Sequence, residues 1–316
     1  MPNPVTVLRS ILLSRLAGAD ATTRPLGGVG VFHSHIRQSL RAVPIHHPTV
    51  VMILAGRKEL HVAATTREIQ SGELLLVPGN SSLHIGNIPD PATGCYLALA
   101  VSFPPTTLEH FRRLYGANIG SVEQRVVWSA AAPDDFARAL QQWLAWCVDS
   151  PPDSELALHR HTELLLLLVR AGYAGNLLLD NQLGWRQRVS QLISCDLSHA
   201  WDVPTVCRRL AVGESSLRRY LREEGTRFRE VLEEARLVAG LGLLQETYWP
   251  VARIAAEVGY DSPSRFAERF KLRFGLTPTQ LKMTRMSDSG ERASVWGEKG
   301  QQGTVNITSP LCSPEI

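Results

Sequence analysis

Apolar residues recur at helical spacing in two separate segments of the C-terminal third of the chain. The first segment spans residues 206–225 and the second spans residues 254–275. Residues four apart share one face of an α-helix, so each segment predicts two short helices that bury an apolar stripe. The residues at this spacing are Val206, Leu210, Leu217, Leu221, Phe266, Phe270 and Phe274.

A tight break separates the two helices in each segment. The first break is Ala-Val-Gly at 211–213, where a glycine permits unusual backbone angles. In the second, Gly259 opens the turn, and Asp261 or Ser262 caps a helix that starts at Pro263. A short helix, a break and a second amphipathic helix are typical of a helix-turn-helix.

One long helix is predicted between the two units. The units lie at about 204–225 and 251–275, and the connecting helix lies at about 226–246. Its interior contains Gly240 and Gly242, each of which costs roughly 1 kcal/mol relative to alanine. We expect either a less stiff helix at this point or close packing of a neighbouring side chain.

Charge distinguishes this region from the rest of the chain. From Arg186 to Arg285 there are 17 Lys and Arg residues against 12 Asp and Glu, and 15 of the cations are arginine. Arginine suits forked contacts with phosphates and with guanine edges. The alternative is an ordinary solvated helix face, but a basic domain with two exposed helices favours binding to double-stranded DNA.

The region 185–285 resembles the DNA-binding domain of the AraC/XylS family of bacterial transcription regulators. Within it, Asp196–Phe228 is most similar to the branch of acid-response and virulence-gene regulators. The matching positions are Trp201, Leu210, Leu217, Arg219, Gly225, Phe228, Arg236, Leu237, Leu243, Leu244, Ile254, Ala255, Gly259, Tyr260, Phe266, Phe270, Lys271, Gly275 and Pro278.

This resemblance implies a sequence-specific transcription regulator, an activator rather than a repressor, with promoter DNA and RNA polymerase as partners. Its two units would enter successive major-groove segments. Glu268 would accept a hydrogen bond from cytosine or else pair with Lys271. The implied base-reading residues are Ser215, Arg218, Arg219, Ser264, Arg265 and Glu268. The implied phosphate contacts are Arg222 and Lys271.

Residues 28–103 read as short β-strands separated by Gly, Pro, Asn and Asp. Several such strands predict a small barrel or sandwich. Residues 72–87 resemble the second motif of cupin barrels, with altered histidine spacing. The expected fold class is therefore α+β multidomain, a cupin-like barrel or sandwich with helices, followed by an all-α domain. The predicted strands are GVGVFHSHI, TVVMILA, KELHVAA, GELLLVPG, SLHIGN and YLALAVSF.

Histidines are the candidate chemistry of this N-terminal domain. His33 and His35 alternate on one strand and therefore share a face. Together with His84 they could line an effector pocket, for a small molecule or a regulatory protein. The alternatives are a protein-interaction module that binds no effector and a metal-dependent cupin enzyme, but His46 and His47 are adjacent rather than spaced for ligation. We predict no metal, no cofactor and no catalytic residue.

Helices are expected over 104–171, at Pro104–Gly116, Pro133–Val148 and Glu155–Arg170. The family resemblance implies a homodimer contact here, made by Leu156–Val169 with the Phe136 and Trp143 face. Packing of the same residues against the barrel is the equally weighted alternative.

The remaining segments are an N-terminal segment at 1–27, a linker at 172–184 and a polar tail at 286–316. The N-terminal segment lacks the pattern of a signal peptide, and the tail is expected to be disordered. Five widely spaced cysteines indicate no disulfide framework and favour a reducing cytoplasm.

Overall fold

A computed structural model describes residues 3–19, 26, 28–62, 65–116, 124–149, 154–178 and 184–285. The predicted tail, 286–316, lies outside the described residues. The helices are α1 Pro4–Ala17, α2 Pro105–Tyr115, α3 Asp134–Asp149, α4 Ser154–Arg170, α5 Gly175–Leu178, α6 Trp185–Ser194, α7 Val203–Arg209, α8 Glu214–Glu223, α9 Phe228–Glu246, α10 Val251–Glu257, α11 Pro263–Phe274 and α12 Pro278–Met283. The strands are β1 Gly30–Ser34, β2 Gln38–Ile45, β3 Thr49–Ala55, β4 Arg57–Val62, β5 Thr65–Gln70, β6 Glu73–Val77, β7 Ser81–Ile88, β8 Tyr96–Ser102 and β9 Ser129–Ala131.

Two antiparallel sheets form the N-terminal domain. The five-stranded sheet has the order β1-β8-β3-β6-β9, and the four-stranded sheet has the order β2-β7-β4-β5. Apolar side chains from both sheets form one core, which includes Ile53, Leu60 and Tyr96. This arrangement, followed by the helical region, confirms the predicted fold class.

Strand β3 is buried along its whole length because both of its faces are covered. Val51 and Ile53 pack against the four-stranded sheet. Val50 and Met52 point the other way, into a core shared with the surrounding helices. Burial on both faces explains why this strand reads as a continuous apolar run rather than an alternating one.

Strands β2, β5 and β9 are not among the six strands that the sequence predicts. Strand β2 has a register shift between Leu40 and Val43, and Ala42 has a φ of 48°. This bulge interrupts the alternation that would have marked the strand. Strand β5 is an edge strand of the four-stranded sheet, and Ile69 is its one buried residue. An edge strand with one solvated face carries a weak apolar signal.

The helices around the barrel bury Phe136, Trp143 and part of the range Leu156–Val169 that was proposed for a dimer contact. Phe136, Trp143 and Leu165 have no exposed surface and belong to the same core as Met52 of β3. These three side chains therefore pack inside the chain, as the alternative predicted, and leave no surface for a partner. A homodimer through other residues stays a prediction.

The predicted linker at 172–184 is partly structured. Asn176 of α5 is buried and donates hydrogen bonds to the carbonyl oxygens of Leu76 and Val127, at 2.9 and 2.8 Å. Residues 179–183 lie outside the described part of the chain. The first half of this segment therefore belongs to the barrel rather than to a linker.

Helix α9 is the central element of the C-terminal domain. Helices α6, α7 and α8 form a core with its first half, which includes Val231 and Ala235. Helices α10, α11 and α12 form a second core with its second half, which includes Leu237 and Leu244. Both predicted helix-turn-helix units are present, and α9 joins them. None of the described helices has the length and apolar character needed to cross a membrane.

The two glycines of α9 have different surroundings. A Cβ built on Gly240 would lie 2.8 Å from two ring carbons of Phe266, whereas one on Gly242 meets no atom within 4 Å. Of the two expectations, close packing is therefore confirmed at Gly240. Phe266 is fully buried between Tyr260 and Phe270, so its ring has little room to move away.

The barrel docks directly onto the helix-turn-helix region. Leu40 and Val43 of β2 join the core of the second unit. The Gln38 amide donates to the Thr284 hydroxyl at 2.6 Å, and the Gln187 amide of α6 donates to the His46 carbonyl at 3.1 Å. The N-terminal domain therefore contacts both halves of the C-terminal domain.

We expect opposite results from two alanine substitutions at positions two residues apart, on different faces of α9. Gly240→Ala should lower the free energy of unfolding by about 1–3 kcal/mol, because the added methyl group strikes the Phe266 ring. Gly242→Ala should leave it unchanged or raise it by up to about 1 kcal/mol, because alanine favours the helix. Chemical denaturation of the full chain measures both. A stabilised Gly240→Ala variant would contradict the packing described above.

Candidate nucleic-acid interface

Local sequence sets the outward face of the first unit. Asp202 caps α7 by accepting a hydrogen bond from the Thr205 amide at 2.8 Å, and Gly213 occupies the N-cap position of α8. Leu217 and Leu221 of α8 are 0% and 1% exposed. Their burial fixes the rotation of α8 and leaves the opposite face for solvent. The candidates on that exposed face are Ser215, Arg218, Arg219 and Arg222.

The arginines of α8 make only weak contacts with their own helix. The Arg218 guanidinium lies 3.0 Å from a Glu214 carboxylate oxygen, and Arg219 lies 3.8 Å from Glu223. Both arginine side chains are 62% exposed. Exposed pairs at this spacing contribute about 0.3–0.5 kcal/mol, so an incoming phosphate or base can replace the carboxylate.

The second unit is built in the same way. The Ser262 hydroxyl accepts a hydrogen bond from the Arg265 amide at 3.4 Å, Pro263 begins α11, and Gly275 ends it with a φ of 86°. The phenylalanine stripe is fully buried, as predicted. The candidates left exposed by that burial are Ser264, Arg265, Glu268 and Lys271.

Glu268 has two interpretations, and the structure bears on one of them. Among the described residues, no ion pair within 4.0 Å joins Glu268 to Lys271, although the two are one turn apart. Its carboxylate is exposed on the outward face of α11. Acceptance of a hydrogen bond from cytosine stays a prediction.

Two arginines of α11 are occupied by the central helix. Arg269 makes a forked pair with Glu233 of α9, and its second contact measures 2.7 Å. Arg273 donates to Glu234 at 3.0 Å. Helical spacing alone places Arg269 outside the buried phenylalanine stripe and so predicts an exposed side chain. The contact joins residues 36 apart in sequence, so nothing in local spacing could have found it.

Glu234 connects the two units through one carboxyl group. Arg186 of α6 donates to both of its oxygens at 2.7 Å, while Arg273 of α11 donates to one of them at 3.0 Å. The Glu234 side chain is only 13% exposed. We name Glu233 and Glu234, with Arg186, Arg269 and Arg273, the carboxylate clamp.

A pocket lies where α1 and β1 meet the ends of α9 and α12. We call it the junction pocket; it is a shallow cavity of about 30 Å³ that opens to solvent. Apolar side chains from the barrel side face polar groups from the C-terminal domain. Its lining is Leu12, Arg15, Leu16, Ala19, Leu26, Val29, Val31, Gln245, Glu246, Tyr248 and Arg285.

Burial dominates the electrostatics of the junction pocket. It raises the pKa of Glu246 to about 7, against the smaller opposing effect of the nearby Arg285. It also lowers the pKa of Arg285 and of Arg15. The Arg285 guanidinium donates to the carbonyl oxygens of Leu244 and Thr247 and lies 4.8 Å from the Tyr248 ring centroid. Arg285 therefore closes the C-terminal end of α9.

Two of the three histidines proposed for an effector pocket lie side by side, with the ring centroids of His33 and His35 6.4 Å apart, whereas His84 lies on the other sheet. His33 is 5% exposed and its ring lies 6.4 Å from that of Tyr248. His35 is exposed, and its Nδ1 lies 3.0 Å from the Gly94 carbonyl oxygen. His84 is exposed on β7, where it pairs with His61 on β4 of the same four-stranded sheet. In the described part of the chain, no three His, Cys, Asp or Glu residues are placed to hold a metal ion.

A buried series of side-chain hydrogen bonds, which the sequence does not predict, runs through the barrel. Lys58 is 4% exposed and donates to Asn87 at 2.5 Å; Asn87 donates to Gln38 at 2.8 Å, and Gln38 continues to Thr284. Burial lowers the pKa of Lys58 to about 7. A lysine in a sequence ordinarily predicts an exposed hairpin charge, and only the register of β4 with β7 places this one inside.

Comparison with known proteins assigns the C-terminal region. A family model described as a helix-turn-helix domain matches residues 206–284. The HTH-type transcriptional regulator GadX of Escherichia coli K12 is 30% identical over 122 residues, which are 38% of this chain and 44% of GadX. The HTH-type transcriptional regulator YdeO of Shigella flexneri is 30% identical over 128 residues, 39% of this chain and 50% of YdeO. The chain thus spans about half, or less, of the curated relatives it matches.

The two-domain fold also has a counterpart among solved structures. ToxT of Vibrio cholerae, in a crystal structure with bound unsaturated fatty acid, superposes with a TM-score of 0.58. The match covers 83% of this chain and 97% of ToxT, at 15% sequence identity, and so concerns the fold. Taken with the two helix-turn-helix units on α9, these likenesses show a C-terminal double helix-turn-helix region similar to parts of the regulators GadX and YdeO, attached to an N-terminal domain of two antiparallel sheets.

Proposed function

We propose that this protein is a sequence-specific DNA-binding transcription regulator in which α8 and α11 enter successive major-groove segments of a promoter. The observation that carries the proposal is the carboxylate clamp, which holds two exposed recognition helices on one central helix. The names of GadX and YdeO, both transcriptional regulators, support it. Activation through RNA polymerase and action as a homodimer follow from the family resemblance and are part of the proposal.

The exposed residues of α8 and α11 have two different proposed roles, base reading and phosphate contact. Arg218 and Arg219 would form forked hydrogen bonds with guanine edges, and Glu268 would accept from cytosine N4. Arg222 and Lys271 would contact phosphates, which position the protein without specifying sequence. Ser215, Ser264 and Arg265 complete the base-reading set. This proposal assigns the protein no catalytic step.

We further propose that a carboxylic acid with an apolar tail binds at the junction pocket, which must widen from its cavity volume of about 30 Å³ to admit the tail. The apolar residues Leu12, Leu16 and Val31 would contact the tail, and Arg15 would contact the carboxylate. ToxT, which shares the fold, has been crystallised with an unsaturated fatty acid and with a naphthyl-substituted butenoic acid. These are compounds of the proposed class.

The position of this pocket gives the ligand a route to DNA binding. Its lining includes the end of α9, at Glu246, and Arg285, which follows α12. A ligand that contacts both domains favours the docked arrangement over any other, and only such differential affinity can shift the equilibrium. Burial raises the pKa of Glu246 to about 7, so the carboxyl group is protonated in about half of the molecules at neutral pH. The protonated form repels a bound carboxylate less than the charged form does.

Two arginine substitutions on α8 should separate base reading from phosphate contact. Arg218→Ala should cost roughly 1–3 kcal/mol at one position of the selected site and relax the preference there. Arg222→Ala should weaken binding to all sequences and reduce the slope of log affinity against log salt by about one. Random-library selection and binding titrations at several salt concentrations measure both. Arg113→Ala, at an exposed position on α2, is the control; equal effects from all three would refute the assignment.

Removing one charge of the carboxylate clamp should make the protein less selective for the distance between the two half-sites on DNA. Glu234→Gln weakens contacts to both units, so the variant should discriminate less between the selected site and one lengthened by a base pair between its halves. We expect the wild-type preference for the correct spacing to fall severalfold, at a stability cost of about 1–3 kcal/mol. Glu163→Gln breaks the remote Arg160 pair and is the matched control. An unchanged spacing preference would show that α9 alone sets the distance.

Oleate tests the junction pocket. It should raise the melting temperature of the full chain and change its affinity for the selected DNA, whereas oleyl alcohol should do neither. Arg15→Gln should raise the oleate concentration needed for the same effect at least tenfold, because it removes the charged contact. Arg9→Gln, on the same helix but outside the pocket lining, should behave as wild type. Equal oleate responses in all three proteins would indicate a detergent effect and exclude this site.

A further inference from the structure

We infer that Leu272 is a base-reading residue of the second unit and contacts the C5-methyl group of a thymine in the major groove. The inference rests on the proposed DNA-binding function and extends it to a residue that charge and hydrogen-bonding patterns do not reveal. Leu272 lies on α11, within the recognition helix itself.

Leu272 is unusually exposed for a large apolar side chain. It is 74% exposed, and the next most exposed in the described part of the chain is Val126, at 68%. Single exposed apolar residues are common on protein surfaces, so exposure alone carries no conclusion. What matters is the face of the helix on which this leucine lies.

That face is the one proposed for DNA. Leu272 follows Glu268 by four residues and Arg265 by seven, and positions at these intervals share one side of an α-helix. The buried stripe of Phe266, Phe270 and Phe274 occupies the opposite side. Leu272 is therefore aligned with two of the base-reading candidates and points away from the protein core.

Two of the arginines on the recognition helix of the second unit are held by other side chains. Arg269 and Arg273 are held by Glu233 and Glu234 of the carboxylate clamp. Leu272 lies between these two arginines in sequence but on the exposed side of the helix. An apolar side chain at this position can distinguish bases only through an apolar group, and the thymine methyl is the one that the major groove presents.

The helix geometry places the expected thymine. Four residues of α-helix rise about 6 Å, which corresponds to roughly two base-pair steps of 3.4 Å. The thymine contacted by Leu272 should therefore lie about two base pairs from the base read by Glu268. Both positions fall in the half-site of the second unit, so the two half-sites should differ in sequence.

Replacing single thymines by uracil in the selected site tests the contact directly, because only the methyl group is removed. The wild-type full chain should lose roughly three- to fivefold in affinity at one thymine of the second half-site. Leu272→Ala should bind the thymine and uracil sites with equal affinity, and this affinity should match the lower affinity of the wild-type chain for the uracil site. Met283→Ala, 53% exposed on α12 of the same unit, should retain the wild-type preference for thymine.

The outcomes separate this inference from the proposed function. If wild type selects a site but shows no position sensitive to uracil, or if Leu272→Ala keeps the same sensitivity, Leu272 does not read a methyl group. Leu272→Ala that binds DNA normally yet fails to activate transcription would assign the side chain to a protein partner and overturn the inference. If wild type selects no site at all, the proposed DNA-binding function fails first.

Discussion

The carboxylate clamp is the interaction on which the geometry of the C-terminal domain depends. Its two helix-turn-helix units have separate apolar cores, at the two ends of α9. Apolar packing holds each unit on α9, and Leu197 is partly buried against both cores. Glu234 adds a charged link between the units, because it accepts hydrogen bonds from Arg186 of the first unit and from Arg273 of the second. A double recognition domain needs this fixed relation, since two successive major-groove segments are presented at a set distance.

The docked barrel adds a second constraint of a different kind. Its contact with the second unit is apolar at Leu40 and Val43, and polar at Gln38. Gln38 is also the end of a buried chain of hydrogen bonds that starts at Lys58 in the barrel. Buried polar groups of this kind are costly unless each finds a partner, so this series of hydrogen bonds favours one relative position of the two domains. A ligand at the barrel or at the junction pocket must stabilise or destabilise that position to change DNA binding.

The parts of the structure that the sequence predicted are those set by local spacing. Burial of Leu217 and of the phenylalanine stripe follows from a periodicity of four, and it leaves the base-reading candidates exposed as expected. Strand β2 was missed because its bulge breaks the alternation. The clamp pairs and the buried Lys58 were missed for another reason. They join residues far apart in the chain, and the partner of a charged side chain over that distance is decided by tertiary packing.

The two recognition helices use arginine in different ways, and this difference has consequences for how each unit binds. In α8, Arg218 and Arg219 pair within their own helix through exposed contacts that DNA can displace at little cost. In α11, Arg269 and Arg273 pair with Glu233 and Glu234 and so hold the helix to α9. The first unit therefore has more free cationic groups for guanines and phosphates, and should supply more of the salt-dependent affinity. The second unit, with Glu268 on its outer face, depends more on the chemistry of particular bases than on charge.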